Sequence, residues 1–268
     1  ETDHIDFLQF HGLTWDAYRG RLTNDNGPLA AALKAKEKGL IKHISYSTHD
    51  SPEGIRKLID TGEFASMLLQ YNLLDRVNEE VIAHAAESGM GVVVMGPVGG
   101  GRLSTSSSII PGATDASATA RLALRFVLSN PNVHVAISGM NSIQMVEENV
   151  ETASNVEPMS AKEKKDLDAL FEKNKELMDL PCTSCRYCLP CPEEVGIPEV
   201  FSAYNLEKVY GLTESARNAY AELGKGWHEK HKPAGVCVEC GECEPKCPQN
   251  IAIRERLKEA HAALAVEK

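Results

Sequence analysis

The chain has no cysteine before residue 182, although it carries eight in all. A thiol set confined to one end of a long chain argues against a disulfide-stapled secreted scaffold, which spreads its cysteines over a small domain. No apolar run is long enough to cross a bilayer as a helix. No basic start followed by an apolar core resembles a signal peptide. A basic surplus is missing too: the formal net charge is −10, which makes the chain a poor candidate for binding nucleic acid, where a basic footprint is expected. No G-x-G-x-x-G run opens the chain, so the dinucleotide fingerprint of an open Rossmann sheet is absent from that position. Methionine is lacking until Met67, and the chain begins abruptly with Glu1-Thr2-Asp3-His4-Ile5-Asp6-Phe7, the run-in to a strand already inside a domain. The expectation is of an N-terminally truncated protein.

What the chain does hold is a repeated cysteine pattern. The first run is Cys182-x-x-Cys185-x-x-Cys188-x-x-Cys191-Pro192, and the second is Cys237-x-x-Cys240-x-x-Cys243-x-x-x-Cys247-Pro248. Three thiolates at two-residue gaps can wrap three irons of one cubane, and the fourth, before proline, sits where the chain turns away. Three other readings compete. Zinc sites show paired C-x-x-C knuckles with four sulfurs per ion, not triplets. Disulfides fit poorly for the reason given above. Free structural cysteines do not repeat a spacing twice. The runs resemble those of bacterial two-cluster ferredoxins, in which the fourth cysteine ligates the other cluster. The resemblance implies one 4Fe–4S cluster on Cys182, Cys185, Cys188 and Cys247, and a second on Cys237, Cys240, Cys243 and Cys191. The first run departs from the bacterial pattern in having two residues, Leu189 and Pro190, before its fourth cysteine. Each oxidised cluster adds roughly two negative charges to an already acidic chain. Such clusters favour reducing compartments, so the expected location is the cytoplasm.

Between the two runs, Pro198 suits a helix start, Ser215 to Ala221 has helical composition, and Gly224 and Gly226 suit an end. An α-helical ferredoxin-like domain is expected over residues 181–268. Upstream, Ser160-Ala161-Lys162-Glu163 reads as a capping box. It opens a linking helix over residues 159–180, with Leu167, Leu170, Phe171, Leu177 and Met178 on one face, expected to lie on the preceding domain.

Residues 1–158 alternate short apolar runs with amphipathic stretches. Strands are expected at Ile5–Phe10, His43–Ser47, Met67–Tyr71, Gly91–Met95 and Val133–Ile137. Helices are expected from Pro28 to Lys38, from Ser51, from Glu79 to Ser88, from Ala116 to Leu128 and from Ser142 to Val150. Five strand–helix units of about thirty residues give a parallel α/β fold. Five strands do not close a barrel of eight, so pattern alone leaves an open sheet and part of a (β/α)8 barrel both standing.

Thr2 to Gly12, Gly39 to His49 and Gln70 to Leu74 resemble strands four, five and six of the aldo/keto reductase family. Ile137-Ser138-Gly139-Met140, followed by Glu147-Glu148-Asn149, resembles its eighth strand and last helix. The match is best to the branch with a C-terminal two-cluster 4Fe–4S ferredoxin domain. The resemblance implies the last five units of a (β/α)8 TIM barrel, three units lying upstream of Glu1. It also implies carbonyl reduction with NAD(P)H at the C-terminal face. Of the family's Asp, Tyr, Lys and His tetrad, only the histidine has a counterpart, His11, so the chain as given is expected to lack reductase activity. His11 has a plainer reading, a buried histidine satisfying a loop carbonyl. For the cofactor, the resemblance implies Ser47 and Thr48 near the carboxamide, Gln70 as the strand-six amide, and Met95 where many members stack an aromatic ring. It implies Gly96, opening Gly96-Pro97-Val98-Gly99-Gly100-Gly101, near the pyrophosphate, and Glu148 and Asn149 near the adenosine. The glycine run also reads as a flexible loop. Asn141 and Met145 stand near where basic residues for a 2′-phosphate are often found, which leaves NAD and NADP both open.

Three functions compete. In the first, an iron–sulfur oxidoreductase couples a barrel redox site to single-electron transfer through two clusters, with flavin as a candidate mediator between hydride and single-electron chemistry. In the second, the barrel is a non-catalytic scaffold for an electron-transfer module. In the third, the clusters are structural or sense oxidation. The expected partners are a small-molecule substrate or a redox partner protein, with no nucleic acid and no membrane.

Overall fold

The computed structural model describes residues 2–155, 157–177, 182, 186–226 and 230–266. The chain divides into two compact units: residues up to 100 together with 123–158, and residues 101–122 together with 159 onward.

The first unit is built on five parallel strands in the order β1-β2-β3-β4-β5: Ile5–Phe10, Ile41–Ser47, Ser66–Gln70, Gly91–Met95 and Val135–Ile137. Sequential parallel pairing needs a crossover after each strand, and helices supply it. They are α2 (Pro28–Glu37), α3 (Pro52–Asp60), α4 (Glu79–Glu87), α5 (Ala116–Leu128) and α6 (Ile143–Ser154). Helix α3 shows how the sequence directs this. Ser51 caps it by accepting from Gly54 N at 3.2 Å, Pro52 occupies the first turn, and Ile55, Leu58 and Ile59 form one buried face. Burying each of those side chains contributes about 1.5–3 kcal/mol. In β3 and β4 alternate residues, Met67, Leu69, Val92 and Val94, are buried as the two-residue period requires. The edge strands β1 and β5 leave Ile5, Phe7, Val135 and Ile137 exposed.

In the first unit β5 begins at Val135 rather than Val133 and β2 at Ile41 rather than His43, and two helical features also depart from the sequence expectation. Helix α6 runs one turn further, to Ser154. A short helix α1 (Trp15–Ala17), capped by Thr14 Oγ1 accepting from Ala17 N at 3.1 Å, continues into a π-helical turn at Tyr18–Leu22.

The second unit is helical: α7 (Ala161–Leu177), α8 (Ile197–Lys208), α9 (Thr213–Ala221) and α10 (Ile253–Leu264). The capping box forms reciprocally, Ser160 N donating to Glu163 Oε2 at 2.8 Å and Glu163 N to Ser160 Oγ at 3.2 Å. In α7, Leu167 and Phe171 are buried, and Phe171 meets Tyr210 edge-on at 5.0 Å, so this helix packs with the C-terminal unit. Met178 and Cys185 lie outside the described residues, as does the side chain of Leu177. Val200, Phe201 and Tyr204 of α8, Ala216 and Tyr220 of α9, and Leu257, Ala260 and Leu264 of α10 make the core of this unit. The segment 101–115 is bonded into it. Buried Ser215 shares a hydrogen bond of 2.8 Å with Thr105 Oγ1 and donates to the Arg102 carbonyl at 2.8 Å; Ser107 Oγ donates to the Tyr210 carbonyl at 2.5 Å. Among the described residues, no helix is long and apolar enough to cross a membrane.

Candidate functional site

The first unit gathers its polar side chains at the carboxyl ends of its strands. His11 follows β1 and is exposed, not the buried histidine of the plainer reading. Ser47 closes β2; its Oγ accepts from Gly12 N at 3.0 Å and lies 3.4 Å from His11 Nδ1. Leu13 N donates to the Ser47 carbonyl at 2.8 Å, so the turn after β1 folds back over the end of β2. Thr48, 1% exposed, accepts on Oγ1 from Asp50 N at 3.0 Å. Gln70 and Met95 close β3 and β4 as register partners. The Gln70 amide nitrogen is held by Asp75 Oδ2 at 2.8 Å, which leaves its oxygen oriented. Gly96 then turns the chain with φ of 64°, a left-handed conformation that favours glycine. Asn149 Nδ2 donates to Ser138 Oγ at 3.2 Å just beyond β5, and Glu148 Oε1 accepts from Gln144 Nε2 at 2.8 Å one helical turn away. His11, Ser47 and Thr48 thus form one group, Gln70, Met95 and Gly96 another, and Asn149 is tied to the end of β5.

Asn72, two residues beyond the end of β3, is a further polar residue at these strand ends. It is fully buried. Its Nδ2 donates to the Gly96 carbonyl at 3.0 Å, and its Oδ1 accepts from Leu74 N and Asp75 N, each at 3.0 Å. It therefore locks the loop after β3 to the loop after β4. Its one local signal is an Asx-type turn, Asn72-Leu73-Leu74-Asp75.

The second unit forms two cavities lined by thiols. Cys188, Cys191, Cys237, Cys240 and Cys243 line one, with about 370 Å³ of space partly open to solvent. Cys182, Cys188 and Cys247 line the other, of about 330 Å³. Cys188 and Ile197 belong to both walls. The loops are shaped by left-handed residues, Arg186 with φ of 65° and Glu239 with φ of 59°, which turn each short loop tightly enough for its sulfurs to converge. Glu239 N donates to Cys237 Sγ at 3.4 Å, the type of N–H···S contact that stabilises an anionic thiolate. Burial pushes the Cys243 thiol up, and Glu244 and the thiols of Cys237 and Cys191 add to it. A positively charged metal core is what relieves such crowding, with loss of the thiol protons.

These residues fit an iron–sulfur cluster in each cavity. Thiols surround a space and apolar side chains wall it (Leu257 for the first; Phe201, Ile251 and Ile253 for the second), and in the first the Glu239 N–H reaches Cys237 Sγ. A lone zinc ion draws its thiolates in to about 2.3 Å. Among the described residues, no three His, Cys, Asp or Glu side chains gather closely enough to hold one ion.

Comparison with known proteins adds the families. Residues 1–119 match the aldo/keto reductase family, and residues 181–253 match the 4Fe–4S dicluster domain. The chain is 26% identical to the oxidoreductase YqkF of Bacillus subtilis over 180 residues, covering 58% of this chain and 56% of that protein. It is 28% identical to the oxidoreductase C215.11c of Schizosaccharomyces pombe over 121 residues, covering 44% and 39%. The chain therefore spans about half, or less, of the length of the curated relatives it matches. Among solved structures, the holo form of aldo-keto reductase AKR11C1 from Bacillus halodurans superposes with a TM-score of 0.52 at 27% identity, over 63% of this chain and 61% of that one.

Proposed function

From a chain that carries an aldo/keto reductase domain and, C-terminal to it, a 4Fe–4S dicluster domain, we propose an iron–sulfur oxidoreductase that couples a redox site on the barrel to electron transfer through two 4Fe–4S clusters. The observation that carries the reading is the pair of thiol cavities. One has Cys191, Cys237, Cys240 and Cys243 in its wall, and the other has Cys182, Cys188 and Cys247. Cys185 completes the second set by its place in the first run. When bound, the clusters accept and release single electrons, at potentials tuned by charge, hydrogen bonds to sulfur and exposure.

On the barrel, the strand ends supply donors and small side chains. His11 offers an exposed imidazole for a substrate oxygen, and hydride addition to a carbonyl builds negative charge there that a donor stabilises. Ser47 Oγ lies 3.4 Å from His11 Nδ1, within reach of a weak hydrogen bond. Gln70, Met95 and Gly96 offer a surface for NAD(P)H, with Asn149 and Glu148 at its far end, and buried Thr48 supports the loop beside it. Flavin is the alternative mediator between hydride and single-electron chemistry. The substrate is a small carbonyl or alcohol, or the electrons pass to a redox partner protein. The cytoplasm suits such oxygen-sensitive groups.

A second reading, an electron-transfer protein on a non-catalytic barrel, is favoured by one observation: the 3.4 Å separation of His11 and Ser47 holds the imidazole only loosely. The deciding experiment uses the anaerobically reconstituted protein. Iron and acid-labile sulfide near eight of each per chain support two clusters. Bleaching of their visible absorbance by NADH or NADPH supports coupling to a nucleotide site. Full loading without any bleaching by either nucleotide leaves the non-catalytic reading.

A further inference from the structure

The two thiol cavities are built by a duplicated segment, and the duplication shows where they differ. Cys191-Pro192-Glu193-Glu194-Val195-Gly196-Ile197 runs in step with Cys247-Pro248-Gln249-Asn250-Ile251-Ala252-Ile253. Glu194 and Asn250 are both left-handed, with φ of 58° and 52°. Gly196 and Ala252, each just before a helix, have nearly the same backbone angles, −77°/68° and −70°/74°. In this register Pro198 of α8 corresponds to Arg254 of α10, and Phe201 to Leu257. Each pair faces one cavity: Pro198 and Phe201 line that of Cys182, Cys188 and Cys247, and Arg254 and Leu257 line that of Cys191, Cys237, Cys240 and Cys243. At this position one cavity has a guanidinium where its twin has a proline ring; the twin's own arginine, Arg186, comes from its cysteine loop and pairs with Glu199.

The Arg254 guanidinium is fixed in place. Glu244 accepts from Arg254 Nη2 at 2.8 Å and from the Arg254 backbone N at 3.1 Å. On the other side it lies against Gly241, where a β-carbon would stand 3.6 Å from Arg254 Cζ. Gly241 has φ of 79°, so the loop needs glycine for its turn, and the guanidinium packs at van der Waals distance from it. The same wall holds two carboxylates, Glu193 and Glu242. A cluster on four thiolates is already anionic, and an added electron is disfavoured by nearby carboxylates and favoured by a nearby cation.

We propose that Arg254 is a positioning residue that raises the reduction potential of the cluster held by Cys191, Cys237, Cys240 and Cys243, offsetting Glu193 and Glu242. The inference rests on the reading that this cavity holds a 4Fe–4S cluster. The step concerned is one-electron reduction of that cluster, with no bond made or broken, the electron coming from dithionite in the test. Surroundings tune a cluster without ligating it.

The test is an anaerobic titration of the reconstituted full chain with dithionite and mediators, followed by electron paramagnetic resonance. Iron and sulfide are measured on each sample first. The expected result is that Arg254→Gln stays fully loaded and moves one of the two couples to lower potential while leaving the other unmoved. Arg254→Lys, which keeps the charge, stays between Arg254→Gln and wild type. Unmoved couples in a fully loaded Arg254→Gln overturn the proposal, as does an Arg254→Lys couple as low as that of Arg254→Gln. Arg254→Met is the second neutral variant if Arg254→Gln loads poorly. If neither neutral variant keeps its second cluster while Arg254→Lys does, Arg254 is a structural clamp and the proposal falls. A wild-type chain that loads fewer than two clusters defeats the cavity reading instead, and iron content separates that failure from the others.

Discussion

Asn72 binds three backbone groups from full burial. Asn72→Ala leaves Leu74 N without its acceptor, while Asp75 N keeps the residue-72 carbonyl at 3.1 Å and the Gly96 carbonyl keeps Gly99 N at 2.8 Å. An unsatisfied buried group costs about 1–3 kcal/mol. Asn72→Ala is therefore expected to destabilise the first unit by about 1–3 kcal/mol, seen as a lower urea midpoint, with the loop carrying Gly96 losing amide-exchange protection. An unchanged midpoint would show that the loops hold without it. Ser215→Ala is the matching test in the second unit, because it strips Thr105 and the Arg102 carbonyl of their shared partner. The expected loss is about 1–3 kcal/mol, read from thermal unfolding of the second unit. Residues differ in how far sequence exposes them. The cysteine runs carry their meaning in their spacing, and His11 in its place after a strand. Asn72 does its work through the carbonyl of Gly96, 24 residues away, and no local pattern encodes that bond.

Helices α3 and α10 mark the limits of legibility at the scale of elements. Helix α3 announces itself with Ser51, Pro52 and Glu53, all acting within its first turn. Helix α10 carries no such local signature: Ala252 before it has no capping side chain, and its anion comes from Glu244, ten residues back. A carboxylate at a helix N-terminus is stabilising, and the guanidinium of Arg254 adds to it. The Arg254 side chain and backbone N–H accordingly hold the Glu244 carboxyl below the usual range. A carboxyl whose folded pKa lies below its unfolded value, about 4.3 for glutamate, contributes stability that is present above that value. The contribution is lost as pH falls through the folded pKa. Wild type should therefore lose α10 helicity on acidification below about pH 4. Glu244→Gln should start lower at neutral pH and show a flatter acid limb. The measurement is ellipticity at 222 nm of the apoprotein against pH; parallel acid limbs would dismiss the cap.

For the whole molecule, thiols confined to one third of the chain argue for two regions of different chemistry, and no sequence pattern announces that residues 101–122 cluster with the later one. Strand edges were less legible, because pairing depends on what lies beside a strand. Strands β1 and β5 sit at the ends of the sheet with Ile5, Phe7, Val135 and Ile137 exposed. Such edges template further pairing. The chain as given should therefore self-associate as its concentration rises, and Phe7→Lys with Ile137→Lys should weaken this; sedimentation velocity that is monodisperse and independent of concentration would rule it out. The thiol cavities permit a sharper test. Cys240 lines only the cavity of Cys191, Cys237 and Cys243, and Cys247 only that of Cys182 and Cys188. If each cavity holds its own cluster, Cys240→Ala and Cys247→Ala should each remove about half of the iron and sulfide, roughly four irons per chain. Each should also leave a different remaining electron paramagnetic resonance signal. The doubly substituted chain should bind neither cluster. Cys188 stands in both walls, so Cys188→Ala disturbs the packing of one cavity while removing a ligand from the other. Its loss should exceed that of either single variant. Loss of all iron from Cys240→Ala alone would mean that the two sites fold only as one, and that the cavities are not independent.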